Sequence, residues 1–367
     1  MEPIAAPEEK TVYTLSFTGS GSEYFRIWIV NIVLTILTLG IYSAWATVRT
    51  NQYLHNNLRL ADASFGYHVQ PITILIGRAI ALALFVVYFF INESNPLVGT
   101  SLLMIGGLAL APWLIHRSLR FRLANTSYRG LRFGFDGTIA GSYKAFAMWP
   151  AVAVGIVILA MTILPGFMAM LSMLVVPALV PFMHYQIKRY QHNHSRFGKT
   201  RFSFHATPRD FYMAYGRWVL IVLAVVVLPA AVLGYSAFGG GDMNSALRGI
   251  LPVILYAYAA MFAMGVTLTI MIRNLIWNHT ALGPHTLVSR APVLGFVGLQ
   301  AVNILAMIVT LGLFTPFAIV RTVRYLAEHS DMVVQGDVEA FMAGQRDDSV
   351  GAMGDETADI FGIDIAL

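Results

Sequence analysis

Asn31 and Asn303 are amides set in otherwise apolar sequence, 272 positions apart. Two such groups facing one another in a membrane would line a polar path, because interrupted apolar segments in corresponding positions point to the binding sites of transporters. The plainer use of a buried amide is to hold two helices together, at about 1 kcal/mol. His184, His192, His194 and His205 form the next cluster, in which an HxH pair beside a third histidine would suit zinc. The chain has no cysteine, no carboxylate is well placed to complete that set, and the surrounding loop is rich in Arg and Lys. These histidines therefore read as polar residues of a basic loop, and neither a metal nor any other cofactor is expected. Gly239, Gly240 and Gly241 lack the Lys-Ser/Thr that would follow them in a phosphate-binding loop and read as a flexible turn. No Ser, His and Asp are grouped closely enough to argue nucleophilic catalysis, and no acid/base pair is visible, so no enzyme is expected. Ionisable residues deep in a span are functional by default. The middles of the long apolar runs carry none, and Arg26 and Arg78 read as lying near helix entrances, which argues against coupling through buried carboxylates.

Membrane helices are the elements that must position these groups. The chain is 57% hydrophobic and 12% charged, against about 25% charged in soluble domains. Six apolar runs approach or exceed the roughly 20 residues needed to cross a bilayer: 72–91, 97–115, 145–164, 167–187, 212–237 and 246–272. Backbone in lipid must satisfy its own hydrogen bonds, so these are helices. Six of the 24 basic residues lie in Arg117–Lys144 and seven in Lys188–Arg217, whereas the connections 92–96, 165–166 and 238–248 are nearly uncharged. The bias of Lys and Arg toward the cytoplasm then places every long loop and both termini on that side. The opening residues 1–10 show no basic-then-apolar signal pattern, so no cleavable leader is expected.

The helices belong to a repeated unit. Val30–Leu54 and Val302–Leu326 agree at 13 of 25 positions, sharing the asparagine, a Thr-Leu-Gly triplet, an arginine and a tyrosine. A fixed-period echo of this kind signals a fold built from copies. The loops echo one another too: Tyr13–Gly19, Ala63–His68, Leu131–Thr138, Thr200–Thr207 and, more weakly, Pro284–Ser289 are short, aromatic and alternating, which is a strand signal. The expected fold is an all-α polytopic membrane protein of repeated helical hairpins, each preceded by a short cytoplasmic strand, the strands able to form a small sheet. Five units are expected, at 13–59, 60–126, 127–196, 197–282 and 283–330, between a polar segment (1–12) and an acidic tail (331–367).

Each hairpin's last helix ends in related residues: Trp45, Arg49 and Tyr53; Trp113, Arg117 and Phe121; Phe182, Gln186 and Tyr190; Arg273 and Trp277; Phe317, Arg321 and Tyr325. A spacing of four puts them on one face. They read either as an aromatic belt with snorkelling arginines or as a functional arginine row. The first and last units offer only enough apolar sequence for one crossing, and Gly40 and Gly312 favour a break there, into short re-entrant hairpins with Asn31 and Asn303 as pathway or packing residues. From Asp331 onward nine acidic residues face one arginine. That tail is a solvated extension, a strap onto the chain's own basic loops, or a handle for a cytoplasmic protein.

Phe17–Phe25 (FTGSGSEYF), the VN…TLGIYSAWATVRTNQYL run and the FxF strands together resemble the YjgN, or DUF898, family of bacterial inner-membrane proteins, from about Tyr13 to beyond Leu326. The resemblance implies a multi-pass protein of the bacterial inner membrane; it implies no reaction and supplies no ligand residues. The leading expectation is permeation or transport of a small solute or lipid. The alternative is a non-transporting scaffold or regulator that binds partners through its strands and tail. Expected partners are the lipid bilayer, with anionic headgroups at the basic loops, and no nucleic acid.

Overall fold

Four two-residue turns organise one end of the molecule, which the computed structural model describes at residues 10–238, 243–336 and 338–346. They join β3 (Leu58–Leu60) to β4 (Ala63–Tyr67), β5 (Thr126–Tyr128) to β6 (Leu131–Phe135), β7 (Ser195–Phe197) to β8 (Thr200–Phe204), and β9 (Thr280–Leu282) to β10 (His285–Ser289). Ala61, Asp62, Arg129 and Gly130 all have positive φ, as tight hairpins of type I′ require, while Gly198 and Gly283 supply a positive φ to the other two turns. Each longer strand leads into a helical hairpin whose return helix ends in the next short strand. The two strands flanking a hairpin then pair: β4 with β5, β6 with β7, β8 with β9, and β10 with β11 (Ser330–Gln335).

Closure comes from the N-terminal strand, whose first part, β1 (Lys10–Thr14), pairs with β11 and whose second, β2 (Ser16–Phe17), pairs with β3. The order β1-β11-β10-β9-β8-β7-β6-β5-β4-β3-β2 thus begins and ends on stretches separated by Leu15 alone, whose N–H donates to Ser330 O at 2.9 Å. Ring closure removes the open edges on which other chains could pair. The expectation of an all-α protein with a small sheet is therefore corrected: the chain is mostly helical, but eleven strands form one nearly closed sheet. Three-residue strands carry too little alternation to be seen in sequence, so only one strand per hairpin was visible there.

One hydrogen bond recurs wherever a helix meets the ring. The N–H of Thr18, His68, Asp136, His205 and Arg290 donates to the carbonyl of Asn57, Asn125, His194, His279 and His329 respectively, at 2.8–3.0 Å. The side chains of those last five residues bend back to cap their own helices, each donating to the carbonyl four residues earlier. These are the orphan carbonyls that every helix C-terminus must satisfy.

Ten helices rise in pairs: α1 (Gly21–Leu37) and α2 (Ser43–Asn57); α3 (Pro71–Ser94) and α4 (Pro96–Ala124); α5 (Ile139–Ile163) and α6 (Gly166–Asn193); α7 (Pro208–Val222 and Leu228–Phe238, with a π-helical turn between) and α8 (Met243–Asn278); α9 (Val293–Val309) and α10 (Thr315–Glu328). Proline at the first position starts α3, α4 and α7, and a reciprocal Thr207–Asp210 capping box closes the start of α7. Five of the described helices are long and apolar enough to cross a membrane, or six with α4, which bends by 41° near residue 108. Pro112 accounts for that bend, since its ring displaces the carbonyl four residues earlier. Neighbouring pairs touch in chain order, and α10 returns to α1, where Phe317 packs so closely on Gly21 that a Cβ there would lie 2.4 Å from it.

The bore of the ring is filled. Leu60, Phe65, Tyr128, Leu131, Phe133, Phe197, Phe202, Leu282 and Met332, from eight different strands, belong to one apolar cluster and so converge on the axis. Phe133 and Phe197 are 4.9 Å apart, as are Phe65 and Tyr128. A last helix, α11 (Val338–Arg346), caps the bore with Phe341 and Met342. Glu339 pairs with Arg129, and Gln345 Oε1 accepts from the N–H groups of Lys199 and Thr200. The tail expected from Asp331 thus gives its first residues to the ring and the next to its cap; Ile360–Ile365 and the Gly239–Gly241 turn lie outside the described residues.

His285 supplies a pH dependence to this cap. It is 2% exposed, its Nδ1 accepts from Gln335 N–H at 3.2 Å, and its ring meets Phe341 edge-on at 4.4 Å. Burial holds its pKa below the ordinary value. The unfolded chain therefore takes up this proton near pH 6.5 while the folded chain resists it, so stability falls as pH drops through about 6.5. The thermal midpoint is expected to decline between pH 7.5 and 5.5, and less steeply in His285→Phe.

Candidate functional site

The short hairpins α1/α2 and α9/α10 turn on the Thr-Leu-Gly triplets. Leu39 and Gly40 have φ of 50° and 92°, Leu311 and Gly312 of 49° and 89°, and a positive φ near 90° is what demands glycine here. Thr38 Oγ1 donates to Leu34 O and accepts from Tyr42 N–H; Thr310 Oγ1 does the same with Ala306 O and Phe314 N–H. Helices of 14–17 residues reach about 21–26 Å, short of the roughly 30 Å of hydrocarbon. Each is a hairpin and not a single crossing, with Leu39 and Leu311 at apolar tips 95% and 94% exposed. Thr310→Ala is expected to cost about 1 kcal/mol, read as a lower unfolding midpoint in micelles.

Asn31 and Asn303 do not meet across a shared path. Asn31 Nδ2 donates to Ala46 O at 3.5 Å and Asn303 Nδ2 to Ala318 O at 3.4 Å, so each amide reaches across its own hairpin. Both are buried, and neither Oδ1 has a hydrogen-bond partner. Asn303 joins a small network, donating also to Gln300 Oε1 and Thr322 Oγ1. Cysteine placed at 31 or 303 is expected to resist water-soluble thiol reagents in the folded protein.

Counted back from the recurring junction bond, Arg49, Arg117 and Arg321 each lie eight residues before the helix end, with Trp45, Trp113 and Phe317 a turn above and Tyr53, Phe121 and Tyr325 a turn below. The same count in the fourth pair falls on Met271 and Leu275, so Arg273 and Trp277 are two positions out of the row. Arg117 stacks over Trp113 and Arg273 over Trp277, at 5.1 and 4.9 Å. Tyr53, Tyr190 and Tyr325 share a clasp, each hydroxyl donating to the N-cap carbonyl of its own hairpin's first helix, Ser20, Thr138 and Pro292. Arg273 turns into the protein: Nη1 donates to Ser289 Oγ at 2.8 Å and Nη2 to Ser330 Oγ at 2.7 Å. His192 stacks on Phe204 and His194 caps its helix; among the described residues no group of three or more His, Asp or Glu could hold a metal.

The seams between neighbouring pairs hold what the sequence reading missed. Arg78 reaches from α3 to the start of α2, donating to Ser43 Oγ at 2.6 Å and Thr47 Oγ1 at 2.9 Å. At the corresponding seam between α6 and α7, His184 Nδ1 lies 2.9 Å from Tyr215 OH. Between α8 and α9, Thr269 and Gln300 border a cleft of about 510 Å³ with Tyr258, Met261 and Phe296. The pairs 47/78, 184/215 and 269/300 share one sequence separation, and an arginine seven residues inside an apolar run was the visible signal for the first. A second cleft, about 650 Å³, opens between α4 and α5. Beyond the seams α3 is open to its surroundings: Ala81–Val87 is exposed without interruption, over nearly two full turns.

A family described as "Bacterial protein of unknown function (DUF898)" matches residues 12–360. The "Inner membrane protein YjgN" of Salmonella typhimurium strain LT2 is 24% identical over 93% of each chain. Proteins of the same name from Escherichia coli K12 and O157:H7 are 33% and 31% identical, over 35% of this chain and 32% of theirs. No solved structure matches.

Proposed function

Because the chain belongs to the DUF898 family, whose description carries no activity, we propose from its geometry that it holds or moves a lipid-like amphiphile entering sideways from the membrane. A water-soluble solute has no route along the ring axis on this reading. The carrying observation is the contrast between a bore packed with aromatic side chains and capped by α11, and seams that are apolar clefts open to the surroundings. Apolar surface left to water would cost about 25 cal/mol per Å², so acyl chains are the natural filling of the space between the long hairpins.

The ring then lies on the cytoplasmic side, where Lys and Arg concentrate, and the five strand-and-hairpin segments are copies of one unit, as the recurring junction bond supports. Arg59 and Arg132, next to bore-facing residues and themselves exposed, offer positive charge to anionic headgroups beneath the bilayer. No reaction is assigned, and the clefts bind without chemistry. The scaffold alternative would use the strands and the tail, of which Glu339 and Gln345 already contact the ring.

Reconstituted vesicles test the reading. Exchange of a fluorescent phospholipid between leaflets, or its retention through purification in native mass spectra, is expected above protein-free controls, with no added leak of a small encapsulated dye. Dye flux without lipid retention would overturn it.

A further inference from the structure

We infer that the cleft between α4 and α5 is a binding site for one anionic phospholipid of the leaflet beside the ring, its headgroup held by Lys144; this rests on the amphiphile reading above. Lys144, Ala147, Met148 and Ala151 lie on one stripe of α5 that climbs from the ring end toward the tips. Ile105 and Ala109 of α4 face them, Ile105 on the tip side, so the cleft has a cationic mouth near the ring and apolar walls above it. That is the polarity of a phospholipid in the adjacent leaflet.

Two features mark this seam, the second of them shared with α7. Lys144 is exposed, and among the described residues it has no hydrogen-bond or ion-pair partner. Asp136, the acid preceding it in the chain, is taken up by Arg196 and Arg201. The charge at the mouth is therefore uncompensated, which complements a phosphate. Moreover, Lys144–Met148 is a π-helical turn, a distortion found frequently at functional sites, while Ser142 Oγ and Tyr143 OH anchor α5 to the carbonyls of Pro112 and Ala109, both on the ring side of the bend in α4. The wall of the cleft is thus fixed where the cation is presented.

The chain has no native cysteine, so Gly155→Cys, one turn beyond Ala151 in open space, can carry a fluorophore just above the cleft. Full-length protein is placed in phosphatidylcholine vesicles and quenched with chain-brominated phosphatidylglycerol or phosphatidylcholine at equal mole fraction. Phosphatidylglycerol is expected to quench at about fivefold lower mole fraction, the factor one lysine near an anionic headgroup supplies, and Lys144→Gln to bring the two lipids level. Ala147→Trp should reduce quenching by both. Equal quenching by the two lipids, or a preference untouched in Lys144→Gln, overturns the Lys144 site while leaving a lipid-filled cleft. No quenching by either lipid overturns the site and the amphiphile reading together.

Discussion

Phe197→Ala is expected to lower the unfolding free energy by about 3–5 kcal/mol, the cost of removing a fully buried aromatic ring. Phe197 is 2% exposed in the bore of the ring, paired across strands with Phe133 and 6.1 Å from Tyr128. A cavity there cannot be closed by one strand moving, because β7 is held on both sides, by β6 and by β8. Arg132→Ala, one residue from the bore-facing positions but exposed, serves as the control and should change stability by less than about 0.5 kcal/mol. Thermal unfolding in a single detergent compares the two. A neutral Phe197→Ala would mean that the bore is not a packed core.

Arg273→Ala should cost about 2–3 kcal/mol, because hydrogen bonds to a charged group, here half-buried, are among the stronger ones. Its guanidinium ties α8 to Ser289 at the end of β10 and to Ser330 at the start of β11, where the last segment meets the ring. The N-terminal strand closes on that same β11. Loss of Arg273 should therefore loosen closure as well as α8, and limited proteolysis near Lys10 should accelerate in the variant. Arg273→Lys, able to reach one hydroxyl but not both in fork geometry, should recover less than half of the loss.

Much of this architecture was legible before the structure, for reasons that particular residues make clear. The Thr-Leu-Gly turns were visible because a backbone near φ 90° demands glycine and both copies keep it. The FxF strands were visible because Phe65, Phe133 and Phe202 must point into the same bore. Their three-residue partners were not, since Thr126–Tyr128 or Ser195–Phe197 carry too few positions to show alternation. Ring closure was out of reach for a different reason: it joins Lys10–Thr14 to a stretch that composition alone marks as an acidic tail.

The candidate site was less readable. A pair of asparagines in matching sequence suggests two groups facing each other, yet a local hydrogen bond across each hairpin uses the same residue in the same place. Arg273 and Trp277 imitate the arginine row because the i, i+4 spacing is common to any helix face; only the junction bond fixes the register. Arg78 was discounted as lying near a helix entrance, whereas its long side chain carries the charge across to Ser43 and Thr47. Side-chain reach is not a property that sequence spacing records.

The most direct test of a sealed axis with lateral clefts is photo-cross-linking in membranes that contain a phospholipid with a diazirine on its acyl chain. Adducts mapped by mass spectrometry are predicted at cleft residues such as Ile105, Met148, Met261 and Phe262, and absent from Phe65, Phe133, Phe197 and Phe202 in the bore. Clefts free of adducts, or a water-soluble diazirine solute found attached to the bore residues, would contradict it.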